Sequence, residues 1–231
     1  MKAPIIEIFS SLQGEGLLVG ERQIFVRFAG CNLNCSYCDT ELSKNPANGK
    51  LMSVDEVLDE INKLKTPDVR TISFTGGEPL LYADFINEVI KKSDLNSLLE
   101  TNGTLTNKLS EIDKLDWASV DIKLPEHFND ELSIDVIEKE IQFIKLLIEK
   151  EIKIYCKLVV LPSTEILTVE NIIKKISNNI PLNHDIPLII QPVSPLNQWD
   201  NIENLFKFSE IVGKYMKVYT IPQIHKILNI E

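Results

Sequence analysis

The sequence predicts an α/β protein built on an incomplete, open TIM-like (β/α) barrel. Apolar, β-branched segments of strand length alternate along the chain with amphipathic segments of helical period, which is the pattern of a parallel sheet. Seven such strands can be found in 231 residues, whereas a closed eight-unit barrel takes about 250 residues. No linker, internal repeat or low-complexity stretch interrupts the alternation, so residues 1–231 are expected to form a single domain.

The first strand is expected over 23–29 (QIFVRFA), from its β-branched and aromatic content. A polar loop over 43–50 (SKNPANGK) comes soon after it. Apolar residues at 54, 57, 58, 61 and 64 predict a helix over 54–64, with Ser53 as N-cap and Glu56 three residues on to complete a capping box. A strand over 71–75 ends at Gly76-Gly77, and a helix over 83–91 and strands over 96–100 and 117–122 follow. The longest helical pattern, 133–150, carries Ile134, Ile137, Ile141, Ile144 and Ile148 on one side. Then come a strand over 153–160, a helix over 169–177, a strand over 187–193, a helix over 201–213 and a last strand over 217–221. Trp117, Cys156 and the isoleucine ladder are assigned to the core.

Composition narrows the function. Apolar residues make up 44% of the chain and charged residues 25%, ordinary for a soluble domain. With 24 Lys and Arg against 34 Asp and Glu the formal net charge is −10. That balance argues against a nucleic acid partner, which needs basic patches. The opening residues show no secretory pattern and no apolar run reaches about 18 residues, so a cytoplasmic protein with no membrane partner is expected. Three of the four cysteines are clustered, which reads as reduced thiols kept for metal binding rather than a disulfide framework.

The cluster is Cys31, Cys35 and Cys38, a CxxxCxxC run with an aromatic, Tyr37, before its last member. Three neighbouring thiolates can hold three corners of a 4Fe–4S cube, and the fourth iron then stays open to a small molecule. Zinc is the alternative reading, but a closed zinc site takes four ligands and no fourth Cys or His stands at finger-like spacing. One βα unit later, Thr75-Gly76-Gly77-Glu78-Pro79 ends a strand in a turn where the absence of side chains lets a ligand approach the backbone. Exposed carbonyls there, with the Glu78 carboxylate, are acceptors suited to an ammonium group.

These two motifs resemble those of the radical S-adenosylmethionine (SAM) enzymes. Ser11-Leu12-Gln13-Gly14-Glu15-Gly16, Glu100-Thr101-Asn102-Gly103-Thr104 and Gln223-Ile224-His225-Lys226 narrow the resemblance. They are similar to motifs of the superfamily's ring-contracting branch, which turns a carboxylated tetrahydropterin into a deazaguanine on the route to queuosine. The resemblance implies a 4Fe–4S cluster on Cys31, Cys35 and Cys38, with SAM on its open iron and Mg2+ on Thr40. It implies SAM contacts at Tyr37, Cys38, Asp39, Gly77, Glu78, Glu100, Asp121, Ile122, Lys123, Gln191, Pro192, Val193 and Ser194. Relatives more often have Ser-Pro-Lys where this chain has Asp121-Ile122-Lys123.

On the pterin side the resemblance implies Leu12, Gln13, Gly14, Glu15, Arg27, Thr75, His225 and the terminal carboxylate of Glu231. The amide of Gln13 and carboxylate of Glu15 match the donors and acceptors of a pterin edge. Arg27, set in an apolar strand, needs an anionic partner, either the substrate carboxylate by bidentate pairing or an internal Glu. His127 and His184 are assigned to solvated loops, and His225 to the mouth of the barrel. A homodimer and a flavodoxin- or ferredoxin-like reductant are also implied. Two other readings stand beside this one: a glycyl-radical-enzyme activating enzyme, and a non-catalytic metal-binding module.

Overall fold

A computed structural model describes residues 1–128, 135–181 and 184–230, the side chain of residue 135 excepted. Two strands open it, β1 (Lys2–Leu12) and β2 (Arg22–Phe28), followed by β3 (Lys50–Ser53) and α1 (Val54–Leu64). The alternation continues with β4 (Thr71–Gly76), α2 (Ala83–Lys92), β5 (Asn96–Thr101), the single turn α3 (Thr106–Leu109) and β6 (Trp117–Ile122). Then come α4 (Asp135–Glu149), β7 (Lys153–Val160), α5 (Ile166–Asn179), β8 (Leu188–Pro192), α6 (Asn204–Val212), β9 (Val218–Thr220) and α7 (Ile224–Leu228).

The nine described strands form one sheet in the order β3-β1-β2-β4-β5-β6-β7-β8-β9. From β2 to β9 every pairing is parallel, which gives the seven strands expected from the alternation. Each crossover moves one strand further in the same direction, as in a barrel, but β3 and β9 stay at opposite ends and the sheet remains open.

The expectation of a purely parallel sheet fails at one end, where β1 runs antiparallel to both β2 and β3. The alternation that would mark β1 is broken by a bulge between Ile5 and Glu7 and by Pro4, a residue that demotes a strand reading. Much of the 43–50 loop is two 3₁₀ turns, Glu41–Lys44 and Pro46–Asn48.

The core lies between the sheet and its helices. Phe28, Phe74 and Phe85 sit fully enclosed at its centre, with Phe28 edge-on to Phe85 at 6.1 Å. The capping box on α1 is formed: Ser53 Oγ accepts from Glu56 N, and Glu56 Oε2 accepts from Ser53 N at 2.7 Å. Such a cap contributes about 1 kcal/mol. Ile137, Ile141 and Ile144 of α4 are buried, while Ile134 lies outside the described residues. Cys156 is buried in the same core, and Trp117 packs with Leu98 and Tyr155 in a smaller cluster.

Candidate active site

Gly30 begins the cysteine loop at the end of β2, with φ of +102°, a conformation that favours glycine. Its N–H donates to Ser43 O at 2.7 Å, and its carbonyl accepts from Glu78 N at 2.8 Å. The loop is thereby pinned between the 3₁₀ turn after it and the glycine turn of β4. Gly77 is required for that approach, because a Cβ there would stand 2.1 Å from Gly30 O. Lys44 Nζ reaches into the loop, donating to Asn34 Oδ1 at 2.9 Å and Cys35 O at 3.1 Å. Burial pushes the Cys31 and Cys35 thiols up.

Cys31, Cys35 and Cys38 all line one cavity of about 670 Å³ at the C-terminal ends of the parallel strands, within the range of small-molecule sites. Three thiolates around one cavity are one ligand short of a closed zinc site and fit a cluster held one iron per ligand.

Arg27, Thr75, Gly77, Glu100, Asp121, Lys123 and Gln191 reach the cavity from β2, β4, β5, β6 and β8 and the turns that follow them. Gln191 is 3% exposed, and its Oε1 has no hydrogen-bond partner among the described residues. A buried acceptor left open at a cavity wall fits a ligand N–H donor. Lys123 Nζ holds Tyr37 Oη at 2.9 Å and Asp121 Oδ2 at 3.2 Å. Burial alone would push Lys123 down, but Tyr37 and Asp121 hold it well above the usual lysine range. Burial also raises the Tyr37 phenol.

The opposite side of the cavity is built by the loop after β1 and by the tail. Gln13 Nε2 donates to Glu100 Oε1 at 2.9 Å, and Thr75 Oγ1 donates to Glu100 Oε2 at 2.7 Å. Gln223 Nε2 bridges Glu15 Oε1 at 2.8 Å and Asp39 Oδ2 at 3.1 Å. His225 closes over Gly14, where any Cβ would stand 2.0 Å from its Nδ1. Burial lowers the His225 imidazole, keeping it neutral. Arg27 Nε pairs with Glu7 Oε1 at 2.7 Å across β1 and β2. The internal partner therefore exists, and the guanidinium also lines the cavity, with further N–H donors on its fork.

Thr40 Oγ1 lines the cavity and donates to Asp39 Oδ1 at 2.9 Å. Burial pushes the Asp39 carboxyl up, but hydrogen bonds from Thr40 and Gln223 and the charge of Lys226 hold it below the usual range. These oxygens fit a hard cation that takes its remaining ligands from water and substrate. Leu12, Val193 and Ser194 also reach the cavity.

Three expected positions do not line the cavity. Ile122 and Pro192 are strand residues of the core and do not line the cavity. Glu78 is fully buried and turned inward, accepting from Leu80 N at 3.0 Å, Thr101 Oγ1 at 2.8 Å and Asn102 N at 2.8 Å. Its desolvated carboxyl is raised to about 7. It ties the glycine turn to β5. Glu231 lies outside the described residues.

His127 is a further correction. It is wholly buried, accepting from Leu124 N at its Nδ1 and meeting Val159 O at its Nε2, edge-on to Tyr37 at 4.5 Å. His184 is exposed as expected. Lys157 and Gln223 were not among the expected site residues. A lysine inside the apolar strand KIYCKLVV was a usable signal, since buried lysines are almost always paired.

Comparison with known proteins places these features in a family. Residues 25–176 match the Radical SAM superfamily. Over the whole chain the sequence is 49% identical to the 7-carboxy-7-deazaguanine synthase of Methanothermobacter thermautotrophicus, covering 99% of that protein. It is 40% identical to that of Methanocaldococcus jannaschii, over 97% of this chain and 98% of the other. Among solved structures, QueE from Escherichia coli superposes with a TM-score of 0.63 at 19% identity, covering 95% of this chain and 94% of QueE. The AdoMet-bound anSMEcpe superposes at 0.55 and 20% identity, over 82% of this chain and 61% of the other. Both likenesses are of fold.

Proposed function

The chain belongs to the radical SAM superfamily and, within it, to the 7-carboxy-7-deazaguanine synthases, and we propose that its cavity contracts 6-carboxy-5,6,7,8-tetrahydropterin to 7-carboxy-7-deazaguanine with loss of ammonia. One observation carries the reading. Three cysteines, a glycine turn and a set of amide, carboxylate and guanidinium groups surround the same cavity. When bound, the cluster and SAM supply a one-electron cleavage that yields a 5′-deoxyadenosyl radical.

The chain's own residues then have distinct tasks. Cys31, Cys35 and Cys38 would ligate the cluster, and Gly77 leaves the turn beside it open to SAM. Tyr37, Lys123 and Gln191 would line the SAM side, with the free Gln191 oxygen accepting an N–H of the ligand. Gln13 and Glu15 would take the donor and acceptor edge of the pterin. Arg27 would clamp its carboxylate with the part of the fork that Glu7 leaves open. Thr40, steadied by Asp39, would hold Mg2+ beside that carboxylate and so fix the ring's orientation. His225 would close the pterin side and exclude water.

The whole chain would act as one domain, in a homodimer, with electrons from a flavodoxin- or ferredoxin-like protein. No helix among the described residues is long and apolar enough to cross a membrane. Oxygen-free incubation of the reconstituted protein with the carboxypterin, SAM, Mg2+ and reductant should release the deazaguanine and ammonia. SAM cleavage with no deazaguanine would refute the assignment.

A further inference from the structure

Lys157 stands within β7, 8% exposed, with its ammonium at the cavity wall. It holds Glu15 Oε2 at 2.5 Å and Asp121 Oδ1 at 3.2 Å. Glu15 is thereby clamped from both ends, because its other oxygen accepts from Gln223. Each carboxylate oxygen still has a second lone pair, and Glu15 lines the cavity. Asp121 in turn shares its second oxygen with Lys123. Burial alone would push Lys157 down, but Asp121, Glu15 and Glu100 hold it well above the usual lysine range.

We propose that Lys157 is a positioning and specificity-determining residue, which fixes the Glu15 carboxylate so that the site selects a ring edge carrying paired N–H donors. The inference rests on the pterin reading. The aminopyrimidinone edge of a pterin offers an exocyclic amine beside a ring N–H, two parallel donors for one carboxylate. A dioxo ring of the same size, a lumazine, puts a carbonyl where the amine was. Against the fixed Glu15 carboxylate that carbonyl finds no donor, and two acceptor oxygens face each other out of water. Without Lys157 the Glu15 carboxylate loses one of its two clamps and turns. A carboxylate that turns presents no fixed pair of acceptors, so the selection is lost.

The test uses the cluster-loaded protein with SAM bound, under oxygen-free conditions. Calorimetry compares binding of 6-carboxytetrahydropterin with that of its 2,4-dioxo counterpart. Wild type should prefer the pterin by roughly a hundredfold or more. In Lys157→Met the preference should shrink at least roughly tenfold, one charge-assisted hydrogen bond's worth, and Lys157→Arg should restore it. A merely structural loss would weaken both rings alike and leave their ratio standing, so an unchanged ratio in Lys157→Met overturns the proposal. If circular dichroism shows that variant unfolded, Lys157→Gln, which keeps a donor without the charge, is judged by the same ratio. Wild-type protein that binds neither ring overturns the pterin reading itself, and this inference with it.

Discussion

Arg27 divides its guanidinium between Glu7 and the cavity, and that division sets what its removal should do. Arg27→Ala removes the proposed substrate clamp without touching the cysteines or the glycine turn. We predict that pterin affinity falls at least roughly tenfold, as for loss of a charged pair, while SAM cleavage without pterin persists. Normal pterin affinity in the variant would discard the clamp. His127 gives a second test at this scale. Burial first, and then the charge of Lys123, lower its imidazole to about 3 from 6.5. The folded protein thus binds the proton more weakly than the unfolded chain. Its contribution is whole above pH 6.5 and drains away as pH falls toward 3, reaching about 4–5 kcal/mol. The difference in unfolding free energy between wild-type apoprotein and His127→Gln should shrink steadily over that interval; a constant difference would place the imidazole in solvent.

Residue type was readable where chemistry demands it. The cysteines stood out by their spacing and Arg27 by its place in an apolar strand, whereas Gln13 and Glu15 came only with the resemblance. The inward turn of Glu78 was not readable, because its partners Thr101 and Asn102 come from another strand. The burial of His127 was hidden likewise, since Val159 reaches it only once β7 is in place.

At the scale of elements, the decisive contact joins the loop after β1 to the tail. Gly14 O accepts from Ile224 N at 2.9 Å, and the His225 ring lies where a Gly14 side chain would be. Gly14→Ala must therefore push α7 away from the cavity, because His225 Cβ as well as its ring stands too close. We predict a loss of pterin turnover of roughly a hundredfold, the scale expected of small misplacements, with iron content unchanged. Wild-type turnover would mean that the tail has no part in the site. Strand and helix periods located β2, β4 to β9 and the longer helices within a few residues. They missed β1, whose bulge and proline erase a period of two, and β3, α3 and α7, too short at four or five residues to show a period.

Over the whole molecule, the open sheet gathers one end of every parallel strand around one cavity, and the antiparallel β1 and the tail wall off its other side. That architecture followed from counting strands against length; the antiparallel edge did not. It brings residues from 7 to 230 to a single place, so the cysteines and the proposed pterin contacts face the same cavity. The most direct measurement is electron paramagnetic resonance of the reduced, anaerobically reconstituted protein before and after adding SAM, with metal and sulfide analysis of the same sample. We predict an iron–sulfur signal that SAM reshapes, because one iron is held by no residue of the chain, and its loss in Cys35→Ala. Bound zinc, or a cluster signal indifferent to SAM, would contradict the account.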